Sequence, residues 1–199
     1  MTKLAIIRHA PTSWNREKRL QGHTDIGLGP EGRIIAASWI VPPEWQNWRL
    51  VVSPLSRARE TAAVLFPQSE AEIESALREM SFGDWEGQRL SDLRADPGAE
   101  AEERESLGLD FRAPDGESPR EVQARLLPWL KQLVADGRDT VAVSHKAVSR
   151  ALYALATDWQ MLGKPPTKLK NGCAHLYQLG PDGRPQIETL NIQLGIGDA

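Results

Sequence analysis

Three short apolar runs, each followed directly by polar or charged residues, set the strongest constraint on how this chain can fold. They are residues 4–7 (LAII), 49–52 (RLVV) and 139–145 (DTVAVSH). Longer segments with helical features separate them. Short buried strands that alternate with helices predict an α/β fold. We expect a three-layer α/β/α sandwich with a mostly parallel central sheet.

Capping residues and apolar spacing place the helices. The clearest begins at Ser118, with Pro119 in its first turn and Glu121 in capping-box position, and Gly137 ends it. Pro128 should kink this helix or begin a second one. Further predicted elements are helices within residues 29–40, 56–66 (with Ser56 as cap) and 146–159, a short strand at 71–75, and a hairpin around residues 181–183.

Residues 83–119 are rich in charge, Gly and Pro and show little apolar periodicity. We interpret them as an irregular excursion with short helices over the sheet. We expect one domain over residues 1–199.

The composition argues against several classes of protein. Lys and Arg number 24 against 27 Asp and Glu, a formal net charge of −3, which disfavours a nucleic-acid or membrane-surface partner. No apolar stretch is long enough to span a bilayer, and no signal-peptide pattern precedes the first strand. Cys173 is the single cysteine, so no internal disulfide can form. We therefore expect a cytoplasmic location.

Ionisable residues follow the predicted parallel strands, and ligands bind beyond the carboxyl ends of such strands. Arg8 and His9 end the first strand, residues 53–57 follow the second, and His145 ends the third. Two arginines that crowd together repel each other unless an anion lies between them, and their planar forks match phosphate oxygens. A helix beginning near Ser56 adds free N–H groups. These residues predict a cage for a phosphoryl group.

Two histidines in such a cage allow covalent chemistry. One imidazole can attack phosphorus, because histidine is a competent nucleophile. The other can donate a hydrogen bond to a non-bridging oxygen and stabilise the transition state.

Four motifs, in this order and spacing, resemble those of the histidine phosphatase superfamily, also called the phosphoglycerate-mutase-like family. They are RHAPTSWN, SPLSRARETA, LREMSFGDWEG and VSHKAVSRAL. The resemblance runs from the first strand to the helix after His145 and implies a three-layer α/β sandwich. Within the superfamily, the segment RLQGHTDIGLGPEGR and the short length of the chain resemble those of the branch that includes α-ribazole phosphatase and broad-specificity phosphatases.

The resemblance implies a role for each matching residue. His9 would be the nucleophile that becomes phosphohistidine, and Glu79 the general acid. Arg8, Arg57 and His145 would clamp the phosphoryl oxygens. Further substrate-binding candidates are Asn15, Gln21, Gly22 and Lys146. Neither a metal nor another cofactor is expected, because the arginines supply the positive charge.

Some positions leave alternatives open. Asp84 and Glu86 are rivals of Glu79 for the role of acid. The family's usual glycines are replaced by Ala10 and Lys146, and Lys146 could face the substrate or the solvent. Among the seven tryptophans, Trp14 and Trp85 lie inside motifs and are candidates for an apolar substrate wall, while His23 could border the site or cap a loop.

We expect a phosphatase that hydrolyses a small phosphate monoester. The alternatives are a mutase and a phosphate-ligand sensor without catalysis. Mutases of the family bind a substrate carboxylate with adjacent arginines in the excursion. Here Arg104 and Arg112 are isolated among acidic residues. The sensor is disfavoured because all the catalytic residue types are present.

Overall fold

The computed structural model describes residues 2–194 and contains a six-stranded sheet. Its strands are β1 (Lys3–Arg8), β2 (Arg49–Val52), β3 (Glu72–Ile73), β4 (Thr140–Ser144), β5 (Cys173–Leu179) and β6 (Pro185–Gln193). The spatial order is β3-β2-β4-β1-β5-β6. The first four strands are parallel, whereas β5 runs antiparallel to both β1 and β6. The mostly parallel sheet confirms the expected fold class. The hairpin predicted around residues 181–183 is also confirmed, and it is formed by β5 and β6.

Seven α-helices connect or follow these strands within residues 2–194, and several 3-10 turns lie between them. The helices are α1 (Ser13–Arg16), α2 (Gly29–Ala37), α3 (Ser56–Leu65), α4 (Leu90–Ala95), α5 (Ala101–Glu105), α6 (Pro119–Asp136) and α7 (Lys146–Thr157). None of the helices in this part of the chain is long and apolar enough to cross a membrane. The predicted domain, residues 1–199, extends at both ends beyond the described residues.

Alternate residues of β1 pack against opposite helical layers. Leu4 and Ile6 pack with α6 and α7, and Ala5 and Ile7 with α3. This follows from the two-residue period of a strand, which points successive side chains to opposite faces. Leu130 of α6 is fully buried, and complete burial of one leucine stabilises the fold by about 1.5–3 kcal/mol. The apolar runs in the sequence are therefore strands covered on both faces.

The carboxyl ends of three neighbouring strands lie level at one edge of the sheet. Arg8 pairs with Ser144 in the β1–β4 ladder, and Val52 with Val143 in the β2–β4 ladder. The ladders continue past the strands, since His9 N–H donates to the Ser144 carbonyl (2.9 Å) and Ser53 N–H to the Val143 carbonyl (3.1 Å). This register brings residues that follow different strands to one place.

The structure corrects the predicted cap of α3 and rules out one of the two effects predicted for Pro128, the start of a second helix. Ser56 is the first residue of α3 rather than its cap, and its N–H and hydroxyl both donate to the carboxylate of Asp25 (2.7 and 2.8 Å). The cap is thus supplied by a distant loop. Helix α6 continues through Pro128 as one 18-residue helix, so no second helix begins there. The capping box of Ser118 and Glu121 and the C-cap Gly137 are confirmed.

Candidate active site

The two histidines predicted to meet lie against each other at the carboxyl edge of the sheet. The ring centroids of His9 and His145 are 5.1 Å apart, and the ring planes are inclined by 57°. Both side chains are buried, with exposures of 5% for His9 and 0% for His145. Their positions follow from the strand register, because His9 follows β1 and His145 follows β4.

The hydrogen bond of His9 fixes its tautomer. Nδ1 lies 2.7 Å from the carbonyl of Ala10, which can only accept, so Nδ1 carries the proton and Nε2 keeps its lone pair. Burial lowers the pKa of His9 well below its usual 6.5, and the charges of Arg8 and Arg57 lower it further. The imidazole is therefore neutral, which is the form that a nucleophile needs.

Three buried nitrogen atoms around His9 have no hydrogen-bond partner among the described residues. They are Nε of Arg8, Nε of Arg57 and Nδ1 of His145. The other ring nitrogen of His145, Nε2, is 2.7 Å from the hydroxyl of Ser53. When that hydroxyl donates, Nδ1 carries the proton, and all three nitrogens are then donors. An unpaired buried donor costs about 1–3 kcal/mol, so the site is built for a ligand with several acceptor oxygens.

The two arginines are held in place by other groups. Arg57 is fully buried and donates to the carbonyls of Thr24 (2.9 Å) and Gly22 (2.7 Å). Arg8 donates to the side chain of Asn171 through Nη1. Burial lowers the pKa of both guanidinium groups, but guanidinium remains charged in proteins. The cage therefore holds two positive charges in fixed orientations.

Glu79 is a buried carboxyl group that lies in this site. It is buried, lines the same cavity as His9, and accepts hydrogen bonds from the N–H groups of Met80 (3.0 Å) and Ala147 (3.1 Å). Burial raises the pKa of Glu79. The two N–H groups and the two arginines lower it, but burial is the larger influence, so the pKa is raised overall. His23 lies behind it, with Nε2 2.9 Å from the Glu79 carbonyl oxygen.

The rivals of Glu79 lie elsewhere. Asp84 is exposed and does not line the cavity. Glu86 accepts hydrogen bonds from the backbone of His23, Thr24 and Phe82, which fixes it within the loops. Position therefore favours Glu79 as the acid.

Asn15 and Gln21 line the cavity, whereas Gly22 does not. Thr12 donates to the side-chain oxygens of both Asn15 (2.9 Å, through its N–H) and Gln21 (3.1 Å, through its hydroxyl). Gly22 has a φ of +51°, and a Cβ there would lie 1.9 Å from Oε1 of Glu86. Gly22 thus contributes a tight turn and a carbonyl that accepts from Arg57, and its direct contact with substrate stays a prediction.

The cavity has a volume of about 830 Å³ and includes Lys146 in its wall. The methyl group of Ala10 points away from it, into a buried cluster with Leu28 and Ala36. The substitution of the usual glycine therefore leaves the approach to the site open.

Several residues that contribute to the site were not predicted. Ser53 orients His145, the N–H of Ala147 orients Glu79, and Asn171 orients Arg8. Ser53 could have been predicted from the sequence, because it directly follows β2.

The tryptophan that lines the cavity is Trp39, whereas the predicted Trp14 and Trp85 do not line it. Within residues 2–194, no three His, Cys, Asp or Glu side chains are grouped as metal ligands would be.

Comparison with known proteins identifies the family of the chain. The family model described as histidine phosphatase superfamily (branch 1) matches residues 4–193. The chain belongs to this superfamily.

Its relatives carry two kinds of name. Glucosyl-3-phosphoglycerate phosphatase of Mycolicibacterium vanbaalenii is 34% identical over 182 residues, which cover 81% of this chain and 79% of that protein. The 2,3-bisphosphoglycerate-dependent phosphoglycerate mutase of Azorhizobium caulinodans is 28% identical, over 90% of this chain and 93% of that protein.

Solved structures agree as well. A mycobacterial glucosyl-3-phosphoglycerate phosphatase, solved with VO3, superposes with a TM-score of 0.78 at 27% identity, covering 98% of this chain and 100% of that one. A putative α-ribazole-5′-phosphate phosphatase of Escherichia coli gives a TM-score of 0.76 at 22% identity, with 98% of each chain covered. The second likeness shows the shared fold alone.

Proposed function

We propose that this protein is a metal-independent phosphatase that hydrolyses a small phosphate monoester through a phosphohistidine on His9. The observation that carries the proposal is that three unpartnered buried nitrogens, on Arg8, Arg57 and His145, belong to residues that lie close to a His9 whose Nε2 is unprotonated. A tetrahedral phosphoryl group offers the oxygens that these donors lack, and its negative charge offsets Arg8 and Arg57.

The reaction has two steps. In the first, Nε2 of His9 forms a bond to phosphorus while the bond to the leaving oxygen breaks, and Glu79 gives its proton to that oxygen. In the second, a water oxygen bonds to phosphorus and the phosphorus–nitrogen bond breaks. Glu79, now a carboxylate, takes a proton from the attacking water. A buried Glu79 with a raised pKa suits the first step, because it must begin protonated.

Hydrolysis is favoured over phosphoryl return to a second hydroxyl. Arg104 is bound to Glu100 and to the Arg112 carbonyl, and Arg112 is paired with Glu121. Neither arginine lines the cavity, so neither is placed to hold a mutase substrate. The cavity also has many times the roughly 30 Å³ volume of one water molecule, which leaves phosphohistidine open to attack. The mutase remains the second candidate because relatives with that name exist.

A chelator-treated enzyme assay tests the proposal. We expect the wild-type protein to hydrolyse p-nitrophenyl phosphate in EDTA and to form an acid-labile phosphoenzyme from a ³²P-labelled substrate. His9→Ala should abolish both, while circular dichroism shows an unchanged fold. Turnover that survives His9→Ala would remove the nucleophile, and dependence on added metal would contradict metal independence. Rapid interconversion of 2- and 3-phosphoglycerate would favour the mutase. Tight binding of a phosphate ester without turnover would favour the sensor.

The location of the protein is part of the same proposal. Cys173 is a free, buried thiol, and burial raises its pKa. A chain with one unreactive cysteine suits a reducing compartment, so we propose the cytoplasm. Cell fractionation against a cytoplasmic marker checks this.

A further inference from the structure

The cavity wall carries more positive charge than one phosphoryl group requires. Its charged residues are Arg8, Lys18, Arg19, Arg57, Arg94, Lys146 and Arg150, with Glu79 and Glu105 as the acids. Arg94 forms a two-pronged ion pair with Glu105, and Arg19 pairs with Glu17. A phosphoryl dianion balances the two cage arginines. The remaining cations, Lys18, Lys146 and Arg150, have no such partner within residues 2–194.

Two of these remaining cations stand together on α7. Lys146 and Arg150 are four residues apart, so their side chains are neighbours on one helix face, and both line the cavity. Neither side chain forms an ion pair or hydrogen bond with any residue in the described part of the chain. Like charges at this spacing destabilise a helix slightly, and an anion between them would remove that cost.

Arg150 is held in a fixed orientation. Its guanidinium carbon lies 5.0 Å from the centre of the Trp159 ring, and Trp159 is buried. Stacking on an aromatic face leaves the N–H groups at the edge of the guanidinium plane free to bind. A stacked, unpaired arginine beside a lysine is suited to a carboxylate or phosphate.

The pair lies on the side of the site from which the alcohol departs. Ala147, between the two cations, donates its N–H to Glu79, and Glu79 protonates the leaving oxygen in the proposed reaction. Burial and the charges of Arg8 and Arg150 lower the pKa of Lys146, which is consistent with a position facing the cage. The alcohol part of a bound substrate must therefore pass close to the pair.

We propose that Lys146 and Arg150 form a second anion site, which binds a carboxylate or phosphate on the alcohol part of the substrate. The inference rests on the phosphatase function proposed above and narrows its substrate class to monoesters with a second anionic group. Lys146 and Arg150 would then determine specificity, while the cage and His9 perform the chemistry.

Matched substrate pairs test this site. 3-Phosphoglycerate and glycerol 3-phosphate differ by a carboxylate against a hydroxymethyl group, and fructose 1,6-bisphosphate and fructose 6-phosphate differ by a second phosphate. We expect the wild type to have the higher kcat/KM for the anionic member of at least one pair. The pair that shows the preference identifies the anion. Lys146→Gln and Arg150→Gln should each reduce that preference by about tenfold, the loss expected for one charge-assisted hydrogen bond.

Two further variants sharpen the test. Arg150→Lys should keep part of the preference, because it keeps the charge but not the planar fork. Lys131→Gln, at an exposed position of α6 outside the cavity, should leave the preference unchanged. Should Arg150→Gln fail to fold after losing its stack on Trp159, Lys146→Gln, which loses no aromatic contact, decides the question.

The outcomes separate the two proposals. A wild type that hydrolyses both members of each pair equally overturns the anion site and leaves the phosphatase standing. A preference for the anionic ester that is unchanged in both Lys146→Gln and Arg150→Gln also overturns the anion site and leaves the phosphatase proposal in place. No turnover of any of the four esters by an enzyme that hydrolyses p-nitrophenyl phosphate overturns the anion site alone, and no turnover of p-nitrophenyl phosphate either overturns both proposals.

Discussion

At the scale of single residues, Glu79 shows how opposing influences set a catalytic group. Burial raises the pKa of its carboxyl group, whereas the N–H groups of Met80 and Ala147 and the two cage arginines lower it. Burial is the largest influence, so the net direction is upward. The proton is retained to a higher pH than in a solvated glutamate, as a general acid near neutral pH requires.

Replacing Glu79 by glutamine should harm poor leaving groups far more than good ones. We expect about a 10²- to 10⁴-fold loss of kcat/KM for an alkyl phosphate, the usual contribution of general acid catalysis. The loss for p-nitrophenyl phosphate should be much smaller, because p-nitrophenolate leaves without a proton. In the wild type, kcat/KM for the alkyl phosphate should fall as pH rises through the raised pKa of Glu79, and Glu79→Gln should abolish that limb.

Asp84→Asn is the matched control, since Asp84 is an exposed rival acid outside the cavity. It should change neither the leaving-group dependence nor the pH profile. Equal losses for both leaving groups in Glu79→Gln would point to another acid.

The sequence predicted most of these residues because each directly follows a strand or lies in a motif. It could not separate Glu79 from Glu86, because the separation depends on contacts between distant segments. The hydroxyl of Ser144 donates to the Leu77 carbonyl (2.7 Å) and so ties the Glu79 segment to the end of β4. Asn171, which holds Arg8, comes from a loop 163 residues away and leaves no local signal.

At the scale of elements, the loop of residues 21–25 holds three parts of the site. Its carbonyls at Gly22 and Thr24 accept from Arg57, and the ring of His23 contacts the Glu79 carbonyl. Asp25 binds both the N–H and the hydroxyl of Ser56 at the start of α3. This loop therefore fixes the arginine, the acid segment and the helix N-terminus relative to one another.

Asp25→Ala should destabilise the protein and weaken substrate binding together. The loss of a capping side chain costs about 1 kcal/mol, and Arg57 follows Ser56 directly. We expect urea denaturation to show a free energy of unfolding lower by about that amount, and KM for p-nitrophenyl phosphate to rise.

Asp25→Asn should restore most of both quantities, because an amide oxygen still accepts from the Ser56 N–H. An alanine variant with wild-type stability and KM would show that the contact does not position α3. An asparagine variant as damaged as alanine would show that the charge matters, and not the hydrogen bond.

Elements whose boundaries depend on neighbouring residues were predicted well. The capping box and terminal glycine of α6 are local signals, and both occur as expected. The cap of α3 was predicted wrongly because its partner is 31 residues away. The strand predicted at residues 71–75 shortens to Glu72–Ile73, which is an edge strand with both side chains exposed. Edge strands lack the burial that makes a strand recognisable in a sequence.

At the scale of the whole molecule, the net charge conceals a basic cavity. The chain is slightly acidic overall, yet cations dominate the wall around His9. A slightly acidic composition therefore does not exclude a pocket for small anions. The same burial that builds the pocket also links folding to pH.

Three histidines are kept neutral by the fold. Burial lowers the pKa of His9 and His145 well below 6.5, and lowers that of His175 to about 4. As pH falls below 6.5, the unfolded chain binds protons that the folded chain does not, so stability falls. Glu79 acts in the opposite direction, because its raised pKa lets the folded state hold a proton that the unfolded state releases above 4.5.

The free energy of unfolding should therefore fall between pH 6 and pH 5. Each histidine that is protonated only in the unfolded state adds up to about 1.4 kcal/mol per pH unit to the slope, and Glu79 reduces the slope wherever it holds its proton only in the folded state. Urea denaturation at a series of pH values measures this slope. His175 lies on β5, away from the cavity, and its Nδ1 accepts from the Asn191 N–H (3.1 Å), an arrangement that protonation would break.

Two variants should change this slope in opposite directions. His175→Gln removes one histidine and should lower the slope by up to about 1.4 kcal/mol per pH unit, whereas Glu79→Gln removes the opposing carboxyl and should raise the slope. The sign of each change follows from which state binds the extra proton, and it does not depend on how much either substitution costs at neutral pH. A wild-type stability that is flat from pH 6 to pH 5 would mean that the buried histidines are protonated in the folded protein. That result would also contradict the proposed mechanism, because His9 must be neutral to act as the nucleophile.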